Sequence, residues 1–178
     1  MKKLKWLTLV LVVLFATACA DTGDSESSDS DSSEDSELSL SDNDSESSDD
    51  SGESKVSTNG LKKSHNTGQN CLGCHVSGGK GEGIFTVAGS VYNLGGTQSN
   101  PNGKVTLYDQ SNGQGSVIKV IEIDGNGNFY TTENIDFGSG LYAIVQSSSG
   151  NTTTMASAIT SGACSSCHGN TVGTIKVE

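Results

Sequence analysis

In 178 residues the chain has no arginine, one proline, one tryptophan and three histidines. Without arginine it lacks the planar fork that grips phosphate and carboxylate through two parallel hydrogen bonds. Its ten lysines form no clustered basic face, so nothing resembles a nucleic-acid footprint. Tryptophan occurs only at Trp6 and methionine only at Met1 and Met155, so the rest of the chain must build its core from Val, Ile and a few Phe and Leu. The one long apolar run, Leu7 to Phe15, is far below the roughly 20 residues of a comfortable membrane span.

That run follows Lys2, Lys3 and Lys5 and ends at Ala16-Thr17-Ala18-Cys19, the layout of an export signal. Cys19 directly after small residues resembles a bacterial lipoprotein lipobox, which would make it the lipidated first residue of the mature chain. Ordinary cleavage at Ala16-Thr17-Ala18 or Ala18-Cys19-Ala20 is the rival, and both routes take the protein out of the cytoplasm. The resemblance to lipoprotein sorting, with Ala20 and not Asp after the cysteine, points to an outer-membrane lipoprotein facing the periplasm or the cell surface.

From Asp21 to Glu53 there are fourteen acidic residues, no basic ones and almost nothing apolar. Such a segment has too little surface to bury and is expected to be a disordered, self-repelling tether. The expected organisation is therefore a signal over 1–19, a linker over 20–60 and one folded domain over 61–178. The formal charge of −11 belongs to the tether; from Lys55 onward seven lysines face seven acidic residues.

Apart from Cys19, the cysteines fall into two copies of one pattern, Cys71-Leu72-Gly73-Cys74-His75 and Cys164-Ser165-Ser166-Cys167-His168. Cys-x-x-Cys-His is the attachment signature of c-type haem. Two thiols one turn apart form thioethers to the two vinyl groups of a porphyrin, and the adjacent imidazole supplies a nitrogen to iron. Two pairs of cysteines also suit a zinc ion or two disulfides. Zinc ribbons space their pairs by a few tens of residues at most, and neither alternative requires a histidine after both pairs in a chain with only three. Two covalently attached haems are the expected cofactors, with Cys71, Cys74, His75, Cys164, Cys167 and His168 as their ligands.

Two irons have four axial positions, and His75 and His168 fill two. His65, six residues before Cys71, is the remaining histidine, and an extended chain of about 3.3 Å per residue can pass around a macrocycle edge. Its own haem, the other haem and a neighbouring molecule's haem are all open to it. Met155 is the candidate for the fourth position, since a thioether is a known haem ligand that raises the potential. An open site, or a ligand from another molecule, is the alternative.

Between the motifs, short β-branched and aromatic runs alternate with Gly, Asn and Asp. Candidate strands cover 84–92, 104–108, 117–123, 128–132, 141–146 and 152–159, with Asp124-Gly125-Asn126-Gly127 as a turn. The expected fold is all-β, an antiparallel β-sandwich over about 84–159 flanked by two short haem-binding segments.

Phe85-Thr86-Val87-Ala88-Gly89-Ser90-Val91-Tyr92, Val105-Thr106-Leu107-Tyr108-Asp109 and Asp124 to Tyr130 together resemble the carboxypeptidase regulatory-like β-sandwich. That resemblance implies a rigid scaffold, separating and orienting two haem sites, with no catalytic residues. The whole arrangement looks like the small exported dihaem cytochromes of bacteria that respire metals or sulfur compounds. It implies electron transfer at the envelope or outside the cell, with redox proteins or an extracellular acceptor as partners and the membrane reached through Cys19. A homo-oligomer or filament with haems stacked between copies is one alternative. A haem enzyme or small-ligand sensor with an open iron is another, weakened by the missing arginine and the lack of spare histidines for a distal acid–base set. The expectation is a carrier, not an enzyme.

Overall fold

A computed structural model describes residues 54–178; the export signal, Cys19 and the acidic segment up to Glu53 lie outside the described residues. Its regular structure is almost all strand. In chain order the strands are β1 Val87–Tyr92, β2 Lys104–Tyr108, β3 Val117–Glu122, β4 Asn128–Thr131, β5 Tyr142–Gln146, β6 Thr152–Thr154, β7 Gly162–Ala163 and β8 Ile175–Lys176. Helix is limited to α1, Cys164–Cys167, and to 3-10 turns at Cys71–Gly73 and Ser111–Gly113.

The strands make two sheets, one ordered β4-β1-β7 with β8 also on β1, the other ordered β3-β2-β5-β6. The second sheet is wholly antiparallel, and β1 runs antiparallel to β4. The two-residue strands β7 and β8 instead run parallel to β1, at Val87–Ala88 and Val91–Tyr92. The all-β, antiparallel-rich character read from the sequence is thus observed, with a short parallel edge added.

One core lies between the sheets. Val87, Val91 and Phe129 from the first meet Val105, Leu107, Ile121 and Val145 from the second. Among the described residues Phe129 is the one fully buried aromatic, and each such large side chain contributes about 1.5–3 kcal/mol through removal from water. Alternation along β1 puts Val87, Gly89 and Val91 toward this core and Ala88, Ser90 and Tyr92 on the outer face. Five of its six residues are nevertheless buried, because another layer covers that outer face.

The covering layer is the chain before β1. Lys55 and Ser57 run along β4, with Ser57 N–H on the Tyr130 carbonyl at 3.0 Å and Thr132 N–H on the Lys55 carbonyl at 2.9 Å. The linker expected to continue to residue 60 is therefore in the fold from Lys55 onward, where the acidic run has ended. Asn126 and Asn128 then hold the next stretch. Asn126 Nδ2 donates to the Ser64 carbonyl at 2.6 Å, and Asn128 Nδ2 donates to Ser64 Oγ at 2.9 Å and Thr67 Oγ1 at 3.0 Å.

The Asp124–Gly127 turn makes no hairpin; it carries the chain from β3 in one sheet to β4 in the other. Asp124 Oδ1 accepts from the N–H groups of Asn126 at 2.9 Å and Asn128 at 3.0 Å, and Gly127 takes the left-handed φ of 82° that closes the turn.

Candidate functional site

Each Cys-x-x-Cys-His run folds into a single helical turn. His75 N–H donates to the Cys71 carbonyl at 2.9 Å, and His168 N–H donates to the Cys164 carbonyl at the same distance. That i to i+4 bond puts the first cysteine, the second at i+3 and the histidine at i+4 on one face. A covalently held porphyrin requires two cysteine sulfurs and an imidazole on one side of such a turn; Cys71, Cys164 and Cys167 are free thiols, whereas Cys74 is disulfide-bonded in this structure.

Beyond each histidine the chain doubles back and offers the ring a backbone carbonyl. His75 Nδ1 lies 3.0 Å from the Glu82 carbonyl and His168 Nδ1 lies 2.8 Å from the Gly173 carbonyl. A carbonyl can only accept, so Nδ1 carries the proton and the lone pair of the neutral ring is left on Nε2. Metal-binding histidines are commonly oriented by such a bond on the other ring nitrogen.

The first return loop is pinned at its base, with Gly81 N–H on the Cys74 carbonyl at 2.9 Å and Phe85 N–H on the His75 carbonyl at 3.0 Å. Gly81 is forced by contact: a Cβ there would stand 2.7 Å from Cγ and Nδ1 of His75. On the ring's face Phe85 stacks almost flat, with centroids 3.9 Å apart and planes 4° from parallel, and Tyr130 of β4 stacks on Phe85 at 4.7 Å. His75 is thereby tied to the first sheet through two aromatic rings. This explains why residues 84–86, expected as the start of β1, are not strand: Phe85 is committed to the histidine.

His65 comes to the same place. Its ring centroid lies 6.0 Å from that of His75 with planes 34° apart, and its carbonyl accepts from Asn128 Nδ2 at 3.5 Å. Asn66, in the left-handed region at φ 53°, turns the chain back toward Cys71, and Gly68 N–H donates to Ser90 Oγ at 2.8 Å.

The second motif emerges from β7 and returns as β8, so both ends of its loop are paired to β1. Gly162 permits this, because a Cβ there would collide with the Thr86 carbonyl. Gly89 does likewise on the core side, where a Cβ would stand 2.6 Å from Phe129 Cζ and 3.0 Å from Cys164 Cβ. Burial pushes the Cys164 thiol up to about 12, with the nearby Cys71 and Cys167 adding to the rise. Burial also raises Cys71, helped by the charge of Asp124, whereas Cys167 is exposed.

Met155 sits on the other sheet, past the end of β6, with its N–H on the Ala143 carbonyl at 2.9 Å. The structure thus gathers Cys71, His75 and His65, and beside them the Cys164 turn, but places Met155 on a different element from either motif histidine. Although 89 residues lie between Cys74 and Cys164, both turns pack against β1, because the chain between them is a closed sandwich whose ends meet. Among the described residues no three His, Cys, Asp or Glu side chains gather into a metal cage.

The Glu82 and Gly173 carbonyls and the Phe85 ring were not legible as site groups. Gly81, Gly83, Gly169 and Gly173 after the motifs were the available signal for tight returning loops. Compared with known proteins, the chain matches no family model, no curated protein and no solved structure.

Proposed function

We propose that the protein is an exported dihaem c-type cytochrome that passes single electrons, tethered to the envelope through Cys19. The observation that carries this reading is the shared build of two motifs distant in sequence. Each has a helical turn carrying two cysteines and a histidine, and in each the carbonyl of a returning loop accepts from Nδ1, which leaves the Nε2 lone pair for iron. Disulfide chemistry at the cysteines gives no reason for this treatment of both histidines.

When bound, the haems supply the one-electron couple. The chain's part would be to hold Cys71, Cys74 and His75 around one group and Cys164, Cys167 and His168 around the other, to fix the imidazole planes and, at the first site, to cover one face of the His75 ring with Phe85. His65, whose ring lies 6.0 Å from that of His75, would supply a further imidazole nitrogen to the group held by the first motif. Met155 gains no support for the second iron from its position.

The test is the spectrum of protein matured in a cytochrome-c-assembling host. It should show c-type bands that a one-electron donor reduces and an acceptor reoxidises. His65→Ala should keep both haems, since the thioethers and His75 are untouched, yet turn one iron high-spin or open to carbon monoxide. A spectrum unchanged by His65→Ala removes His65 from the ligand set, and a protein without c-type bands removes the reading as a whole.

A further inference from the structure

We infer that Asn126 and Asn128 are positioning residues of the first motif: their side-chain amides fix the turn from Ser64 to Thr67 and through it hold the His65 ring beside His75. The use made of His65 there rests on the dihaem reading; the fastening itself does not.

Among the described residues the His65 ring takes part in no hydrogen bond, so its place 6.0 Å from the His75 ring is set by the backbone that carries it. His65, Asn66 and Thr67 are exposed and lie in no strand or helix. What fixes them comes from far along the chain. Asn126 Nδ2 donates to the Ser64 carbonyl at 2.6 Å and to the Lys62 carbonyl at 3.3 Å. Asn128 Nδ2 spends its two protons on Ser64 Oγ at 2.9 Å and Thr67 Oγ1 at 3.0 Å, so a single amide grips the turn on both sides of His65.

The orientation of that amide is forced. Gly68 N–H can only donate, so Ser90 Oγ accepts from it at 2.8 Å and gives its own proton to Asn128 Oδ1 at 2.6 Å, which leaves Nδ2 to face the turn. Behind both asparagines, Asp124 Oδ1 takes their backbone N–H groups. Ser90 and Asn128 stand opposite each other across β1 and β4 and are only 5% and 2% exposed. A polar pair buried there weakens a sheet unless its groups find partners, and apolar side chains would serve the sheet alone better. The partners it finds are Ser64, Thr67 and Gly68. An arm held by side-chain donors, not by strand pairing, can be released without opening the sandwich, and each such bond contributes roughly two- to tenfold to that equilibrium.

The test uses the full matured protein, with intact mass recorded first. It compares Ser64→Ala/Thr67→Val, which removes both hydroxyl acceptors, with Thr67→Ser, which keeps them. In the double variant, hydrogen exchange followed by mass spectrometry should quicken about tenfold over 61–70 while β1 and β4 exchange as before. The ferric spectrum should gain a high-spin fraction at one iron, and Thr67→Ser should match the parent in both readouts. Asn126→Ala, at a half-buried position, should move both in the same direction as the double variant and stands in for it if that variant fails to fold. Unchanged exchange over 61–70 overturns the inference whatever the spectrum shows. Quickened exchange with the parent's spectrum overturns it too where His65→Ala alters that spectrum, because His65 then keeps its place without the amides. Where His65→Ala leaves the spectrum unaltered as well, it is the ligand role of His65 that fails and the fastening stands. Fewer than two haems by mass overturns the dihaem reading, while exchange over 61–70 still decides the fastening.

Discussion

Gly81→Ala is the sharpest perturbation of the first site, because it adds one methyl group and changes little else. The backbone at Gly81 is outside the left-handed region, so alanine meets no conformational penalty. Its Cβ, however, would lie 2.7 Å from Cγ and Nδ1 of His75 and 2.9 Å from Cδ2. Carbon atoms rest about 3.5–4.0 Å apart, so the ring must retreat by about 1 Å. Phe85, stacked at 3.9 Å, blocks the retreat across one face. The ring therefore swings and gives up its 3.0 Å bond to the Glu82 carbonyl.

Loss of such an orienting partner costs about 10–100-fold in the hold of a metal on its ligand. In the matured protein this should appear as a growing high-spin fraction in the ferric spectrum and faster carbon monoxide binding by the ferrous form, at one iron only. Gly73→Ala is the control, since it lies in the same motif, has an ordinary φ and would meet nothing within 4 Å. Identical spectra for the two variants would refute the role given to the returning loop.

In the haem-free protein, iodoacetamide should alkylate exposed Cys167 readily and Cys164 about 1000-fold more slowly at pH 8, from the displacement of its thiol from 9.0 to about 12; equal rates, followed by peptide mass, would contradict the packing of Cys164 beside Gly89. The sign for stability follows from the same shift. A raised thiol pKa favours the neutral folded form, so this contribution is complete below pH 9.0 and is lost as pH rises toward about 12, which denaturant titrations of the haem-free form should register. Cys19→Ala should move the protein from the membrane fraction into the soluble export, and a variant that stays with membranes would place the anchor elsewhere.

Strand content was legible where period and length agreed. Lys104–Tyr108 was read to the residue, and 117–123 and 128–132 each to within one, since alternation of Val, Ile and Thr between turn residues leaves few other arrangements. The strand expected over 152–159 stops at Thr154, and Ile159 returns only as an isolated bridge to Leu141. β7 and β8 were not legible, because two residues carry no period and their partner lies more than 70 residues away.

The site divides in the same way. Six attachment residues stand out because Cys-x-x-Cys-His is a local pattern. The carbonyls that orient the histidines carry no side-chain signature, and the Phe85 stack was masked by a run that also reads as strand. Convergence of the motifs on β1 is a property of sheet order, which spacing in the sequence does not encode.

Intact mass under denaturing conditions, on protein matured where c-type haem is assembled, tests the central claim most directly. The account predicts two haem additions that survive denaturation, lost one at a time in Cys71→Ala/Cys74→Ala and in Cys164→Ala/Cys167→Ala. No addition, a single addition, or zinc retained by native protein in place of haem would contradict it.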